Sequence, residues 1–330
     1  MLRAILTVFV LNLSIALAAS VAPAVAQNGA AQAPAPAGGY VRPAPPGRLV
    51  AVGGGRRLHL LCKGPETPAG PTVIIEAGLS QYTANSTNGA AQAAIVAAAP
   101  GTRVCTYDRA GMGWSDPAPA GWTLDGMTAD LQALLQAAGI RRPVILVGHS
   151  FGGLLARAYV RAHPRDVAGV VLVEATSDRD AEGFDAASAA VIPQIDQATA
   201  NAAPGQPVIG LPAGTAPEVV MSFTPEILKG VKAEFEAWNR LPPAMKQPGA
   251  FGTLGNLPLI VIRRGKAATP PSADDIAHRE GQEALAALSS DSVLIVAANS
   301  GHTVPLDEPQ VVADAVRRIV EAVRTGAKLS

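Results

Sequence analysis

Apolar positions fall in short, dense blocks at fairly regular intervals. Val73-Ile74-Ile75, Val144-Ile145-Leu146-Val147, Val167 to Val173 and Leu259-Ile260-Val261-Ile262 are rich in β-branched residues and lack the alternation of a half-exposed strand. Such runs suit parallel strands covered on both faces. Strands over 103–107 and 292–297 add to the set, and two extended stretches, 48–52 and 57–61, meet around Gly53-Gly54-Gly55 as a hairpin. Helical stretches lie between: 90–99, 123–138 with Gly139 as its stop, the run after Gly153 closed by His163-Pro164, about 272–288, and about 308–324. Strands alternating with helices predict an α/β fold, a mostly parallel sheet with helices on both faces.

Residues 176–256 break this rhythm. They follow the sixth strand, are rich in Ala, Pro and Gly, and hold one strongly amphipathic stretch, Pro225 to Trp238. An insertion there lies over the carboxyl ends of the strands, where it acts as a cap that shapes a pocket and limits water.

The first residues read differently from the rest. Arg3, the apolar run Ile5 to Ala18 and the small residues Ala24-Val25-Ala26 form the pattern of a signal peptide over 1–26. Asn12 and Ser14 interrupt the run, which is shorter than the ~20 residues of a spanning helix. Residues 27–47 are Ala/Pro-rich and predict a disordered linker, leaving 48–330 as one domain. The expectation is an exported protein, periplasmic or secreted, with no membrane span in the mature chain. Cys62 and Cys105 then form a candidate disulfide, the alternative being two buried thiols. Lys plus Arg and Asp plus Glu are both 26, so the basic footprint of a nucleic-acid partner is missing.

Chemistry concentrates at Val147-Gly148-His149-Ser150-Phe151-Gly152-Gly153. A strand running straight into Gly-x-Ser-x-Gly and then a helix forces a sharp turn at the serine. It leaves the hydroxyl standing at the carboxyl end of the sheet beside a helix N-terminus. Ser150 is the candidate nucleophile, a glycine-rich turn being the plain alternative. A serine needs a base, and five histidines are available. His59 lies in an earlier strand, His163 ends a helix and His278 is mid-helix. His149 adjoins the serine, with its side chain expected to point away from the hydroxyl. His302, in the loop between the final strand and the final helix, opens at the same sheet edge as Ser150.

These landmarks, together with Tyr107-Asp108-Arg109-Ala110-Gly111-Met112-Gly113-Trp114-Ser115 and Gly301-His302-Thr303-Val304-Pro305-Leu306, resemble the α/β-hydrolase fold family over nearly everything after Arg48. The resemblance implies the order nucleophile, acid, histidine. It also implies an oxyanion hole from the backbone amides of Phe151 and of Leu79, with Glu76 where relatives often carry His. Two family positions exist for the acid. One follows the sixth strand and falls on Glu174. The other follows the strand ending at Ile262, where the nearest carboxylates are Asp274 and Asp275, equally suited to capping a helix. Asp178 is a further alternative. In such proteins the Asp108-Arg109 pair is a turn scaffold.

The implied activity is that of a serine hydrolase acting on a small-molecule carboxylic ester or related acyl substrate. Alternatives are a proline-type aminopeptidase (for which Glu226, Glu234 or Glu236 would line an acidic pocket), a cofactor-free haloperoxidase-like enzyme, a carbon–carbon bond hydrolase, or a non-catalytic binding protein. No cofactor or metal is implied: there is no His-Glu-x-x-His, and Gly53-Gly54-Gly55 opens no helix. Trp114, Trp122 and Trp238 are candidates for an apolar pocket wall, with ordinary packing as the alternative.

Overall fold

The computed structural model describes residues 39–68, 70–212 and 214–329. The expected signal peptide, 1–26, and the first part of the expected linker lie outside the described residues. In chain order the elements are β1 (Arg48–Gly53), β2 (Arg56–Lys63), β3 (Val73–Glu76), α1 (Ser86–Ala98), β4 (Val104–Tyr107), α2 (Leu124–Ala137), β5 (Val144–His149), α3 (Phe151–Ala162) and β6 (Val167–Val173). They continue with α4 (Ala181–Thr199), α5 (Pro217–Met221), α6 (Pro225–Asn239), β7 (Leu259–Arg264), α7 (Ala273–Ala286), β8 (Ser292–Ala297), α8 (Val304–Asp307) and α9 (Pro309–Thr325).

The strands form one sheet in the order β1-β2-β4-β3-β5-β6-β7-β8. The β1–β2 and β2–β4 pairs are antiparallel and every other pair is parallel. β5, which delivers Ser150, is therefore flanked by β3 and β6, with Glu76 opposite Gly148 and Val173 opposite His149.

The unbroken apolar runs are explained by cover on both sides. Ile74, Leu146, Val170 and Val261 pack toward α2 and α3 through Leu131, Leu134, Leu154 and Tyr159. Their neighbours Ile75, Ile145, Val171 and Ile260 face the other way, against Ile95 of α1 and Val312, Val316 and Ile319 of α9. Each such side chain stabilises the fold by roughly 1.5–3 kcal/mol on burial. Cys62 and Cys105 stand opposite one another on β2 and β4 and are joined by a disulfide.

The segment after β6 is more helical than its composition predicts. Besides α6, expected from its amphipathic pattern, it contains α4, 19 residues long with Pro193 inside. The buried stripe of α4 is Ala187, Val191 and Ile195, which packs with Ile227, Val231 and Phe235 of α6 and with Tyr82, Met112 and Trp114 of the body. Alanine in place of larger residues, and a proline within the helix, hid that stripe. Likewise α1 begins at Ser86, where Asn85 accepts a hydrogen bond from the Thr87 amide, rather than at 90.

The expected linker also differs where it is described. Over 40–47 it lies on the cap and the body: the Tyr40 amide donates to Gln206 Oε1 (2.8 Å) and Trp114 Nε1 donates to the Pro43 carbonyl (2.8 Å). Composition alone could not reveal partners that distant. Among the described residues no helix is long and apolar enough to cross a membrane.

Candidate active site

Ser150 joins β5 to α3 with φ 53° and ψ −123°, a conformation rare for a residue with a Cβ. Strain of this kind costs on the order of 1–3 kcal/mol and persists only where neighbours enforce it. Here three hydrogen bonds do so. The Ser150 amide donates to the Val173 carbonyl (3.0 Å), while its carbonyl accepts from the amides of Gly153 (2.9 Å) and Thr176 (3.0 Å). The flanking glycines are required by close approach. A Cβ at Gly152 would lie 2.2 Å from the Glu76 carbonyl oxygen, and one at Gly148 2.6 Å from the Gly153 Cα.

At the end of β6 the chain turns at Glu174, also with positive φ (47°), and buries its carboxylate. His302 Nδ1 lies 3.3 Å from Oε2, the geometry of an N–H donating to a carboxylate. Oε1 accepts from the Arg264 amide (2.6 Å) and from His278 Nε2 (2.9 Å), and Arg264 Nη1 reaches Oε2 at 3.1 Å. Burial would push this carboxyl upward, but the hydrogen bonds and charge of His278 and His302 outweigh it and hold the group well below the usual carboxylate range. Glu174 therefore stays ionised and leaves the Nε2 of His302 free to face the cavity.

Of the four carboxylates weighed for this role, Glu174 is the one bonded to His302 among the described residues. Asp275 caps α7, accepting from the Ser272 amide and hydroxyl and from the Ala268 amide. Asp274 lines the cavity without such a bond. Asp178 accepts from the Gly249 amide (2.7 Å) and pairs with Arg157. His149 anchors the His302 loop. Its Nε2 donates to the His302 carbonyl (2.9 Å), its ring lies 5.0 Å from the His302 ring, and burial first, then His302, lowers its pKa to about 3, keeping it neutral.

Residues 78–81, after the end of β3, line the same cavity as Ser150. Arg109, fully buried, donates to the carbonyls of Ala77 and Gly78 (2.7 Å each) and through Nε to Glu234 Oε1 (2.6 Å). The Ser80 amide donates to Glu234 Oε2 (2.8 Å), and the Gly78 amide to Gln81 Oε1 (3.1 Å). The amides of Leu79 and Phe151 have no hydrogen-bond partner among the described residues. Glu76, where relatives often carry His, accepts from the Tyr107 hydroxyl (2.6 Å) and lies 3.7 Å from Arg109. Asp108 accepts from the amides of Thr83 and Trp114 and bonds His59, a turn scaffold as expected.

Ser150, Glu174, His302 and Leu79 line one cavity of about 300 Å³, walled on the cap side by Phe184 and Phe235. Its small size is at the low end for ligand pockets. None of the three tryptophans lines it. Trp114 packs against His59 and Tyr82, Trp122 bonds Asp130, and Trp238 bonds Asp185. Nor do the three cap glutamates considered for an acidic pocket: Glu234 pairs with Arg109, Glu226 accepts from the Gly205 amide, and Glu236 pairs with Lys232 and Arg240. The bonds of His278 and Arg264 to Glu174 and of Glu234 to Arg109 were not foreseen from the sequence, because each partner lies far along the chain.

Comparison with known proteins agrees with this architecture. The chain is 29% identical over 210 residues to the Bacillus subtilis protein YqjL, covering 63% of this chain and 69% of that one. It is 41% identical over 75 residues to lipase LipV of Mycobacterium tuberculosis, covering 23% and 28%. A solved thermophilic esterase from Thermogutta terrifontis superposes with a TM-score of 0.57 at 20% identity, over 84% of this chain and 98% of that one. Residues 88–315 match the model of the alpha/beta hydrolase family, and the chain belongs to that family.

Proposed function

We propose that the protein is an exported serine hydrolase that cleaves a carboxylic ester or related small acyl substrate. The observation that carries this reading is the hydrogen bond between Glu174 and His302 at the rim of the cavity that Ser150 also lines. Glu174 fixes the imidazole tautomer, so that Nε2 of His302 takes the Ser150 proton as Oγ attacks the substrate carbonyl. The unpartnered amides of Phe151 and Leu79 stabilise the negative oxygen of the tetrahedral intermediate. Collapse expels the alcohol, protonated by His302, and leaves an acyl-enzyme. Water, deprotonated by His302, then attacks that ester, and the acid departs as Ser150 regains its proton.

The cap glutamates speak against the aminopeptidase alternative, which needs carboxylates facing the substrate amine. Export is supported by the signal-like sequence of 1–26 and by the Cys62–Cys105 disulfide. A fluorophosphonate probe should label the wild-type protein and leave Ser150→Ala unlabelled, with ester turnover lost in that variant. Labelling or turnover that survives the substitution overturns the reading.

A further inference from the structure

We propose that Glu234, a cap residue, is a positioning residue for the oxyanion hole, so that the cap and the hole behave as one unit. The inference rests on the serine-hydrolase reading and deepens it.

Among residues 77–81 the polar backbone groups around Leu79 are taken by side chains. Arg109 holds the carbonyls before it, Gln81 the Gly78 amide, and Glu234 the Ser80 amide. The Leu79 amide is left without a partner among the described residues. Ser80 has φ 61°, a left-handed conformation that a residue with a Cβ resists. A bond to its amide is a direct way to hold it there.

Glu234 secures this loop twice, through that amide and through Arg109. It is wholly buried on α6, a helix separated from the loop by more than 150 residues of chain, and α6 belongs to the cap. Arg109 also lies over the Phe151 ring, 5.7 Å from its centre, so a single guanidinium binds the carbonyl of the Gly78–Leu79 peptide and packs on the other residue of the proposed hole. Burying an ion pair of this kind adds little net stability. Its value here is geometric: removing Glu234 takes the side-chain partner from the Ser80 amide and one anchor from Arg109.

A misplaced oxyanion donor weakens binding of the transition state and not of the ground state, so the loss appears in kcat. Glu234→Gln should lower kcat for a nitrophenyl ester about 10- to 100-fold, with KM within about twofold. Affinity for a trifluoromethyl ketone, which forms the tetrahedral adduct on Ser150, should fall by a similar factor. If Glu234→Gln is poorly folded, Glu234→Asp, which keeps a charge near Arg109 but withdraws the carboxylate from the Ser80 amide, should fold and show the same kcat loss. Wild-type kcat and ketone affinity in either folded variant overturn the inference, and so does a loss confined to KM. Turnover remaining in Ser150→Ala would instead bring down the hydrolase reading itself, which keeps the two failures apart.

Discussion

Two buried glutamates flank the strand that carries Ser150, Glu76 at the end of β3 and Glu174 just after β6. Each is about 1% exposed, yet their carboxyls are driven in opposite directions. Glu76 is raised, because burial outweighs the help of Arg109 and Tyr107 and Glu234 adds repulsion. Glu174 is lowered, because two imidazoles overcome the same burial. The difference lies in the donors. Glu174 has an amide, an arginine and two histidines, while Glu76 has one close donor, Tyr107, and shares a more distant Arg109 with Glu234. Equal burial accompanies a lowered carboxyl in one place and a raised one in the other, so burial alone does not decide the direction of the shift.

The sharpest way to break this comparison is turnover. Glu174→Gln should lower kcat about 10³- to 10⁴-fold, the size seen when a triad acid loses its charge in the protease template. Glu76→Gln should change it less than about threefold, since Arg109 keeps Glu234 as a partner. Asp275→Asn, which disturbs a helix cap, serves as the reference for a carboxylate with no bond to His302. Equal losses at 76 and 174 would make the contrast meaningless.

A smaller effect separates the donors. His278→Ala leaves Glu174 with its amide, Arg264 and His302, but frees the carboxylate to swing. We expect kcat to fall about tenfold, a fraction of what one charge-assisted hydrogen bond is worth. Tyr107→Phe, the matching change on Glu76, should alter kcat by less than about twofold. Ester kinetics on both variants decide whether the histidine is part of the site or only near it.

What was legible in the chain follows from the range of each interaction. Ser150 was readable because its strained turn is made by its immediate neighbours, Gly148 and Gly152. His302 was readable from its place after the last strand, and Glu174 from standing directly after an apolar run. His278 was read only as a mid-helix residue, since its partner is 104 residues away. Glu234 was weighed as a wall of an acidic pocket. Its bond to Arg109 spans 125 residues, and no local pattern encodes it. The α/β alternation likewise came from local apolar runs, whereas α4 depends on cap packing that an alanine-rich helix does not advertise.

The last test is stability against pH, where the two glutamates should have opposite signs. Glu174 is lowered in the folded state, so its contribution is fully present above the unfolded carboxylate value, 4.5, and is lost as pH falls from there toward the lower folded value. Glu76 is raised, so the folded state holds a proton that the unfolded state has released. Stability then declines as pH climbs from 4.5 through the raised folded value. Removing the charge at each position should expose these slopes. At neutral pH Glu174→Gln should lose roughly 1–3 kcal/mol, since its donors lose an ionised acceptor. That deficit should shrink as the wild type is acidified below pH 4.5. Glu76→Gln should match or exceed the wild type at neutral pH, and its advantage should vanish on acidification. Urea unfolding of the three proteins between pH 3 and 8 measures both trends; parallel curves for the two variants would mean that the donors around Glu174 do not set its charge.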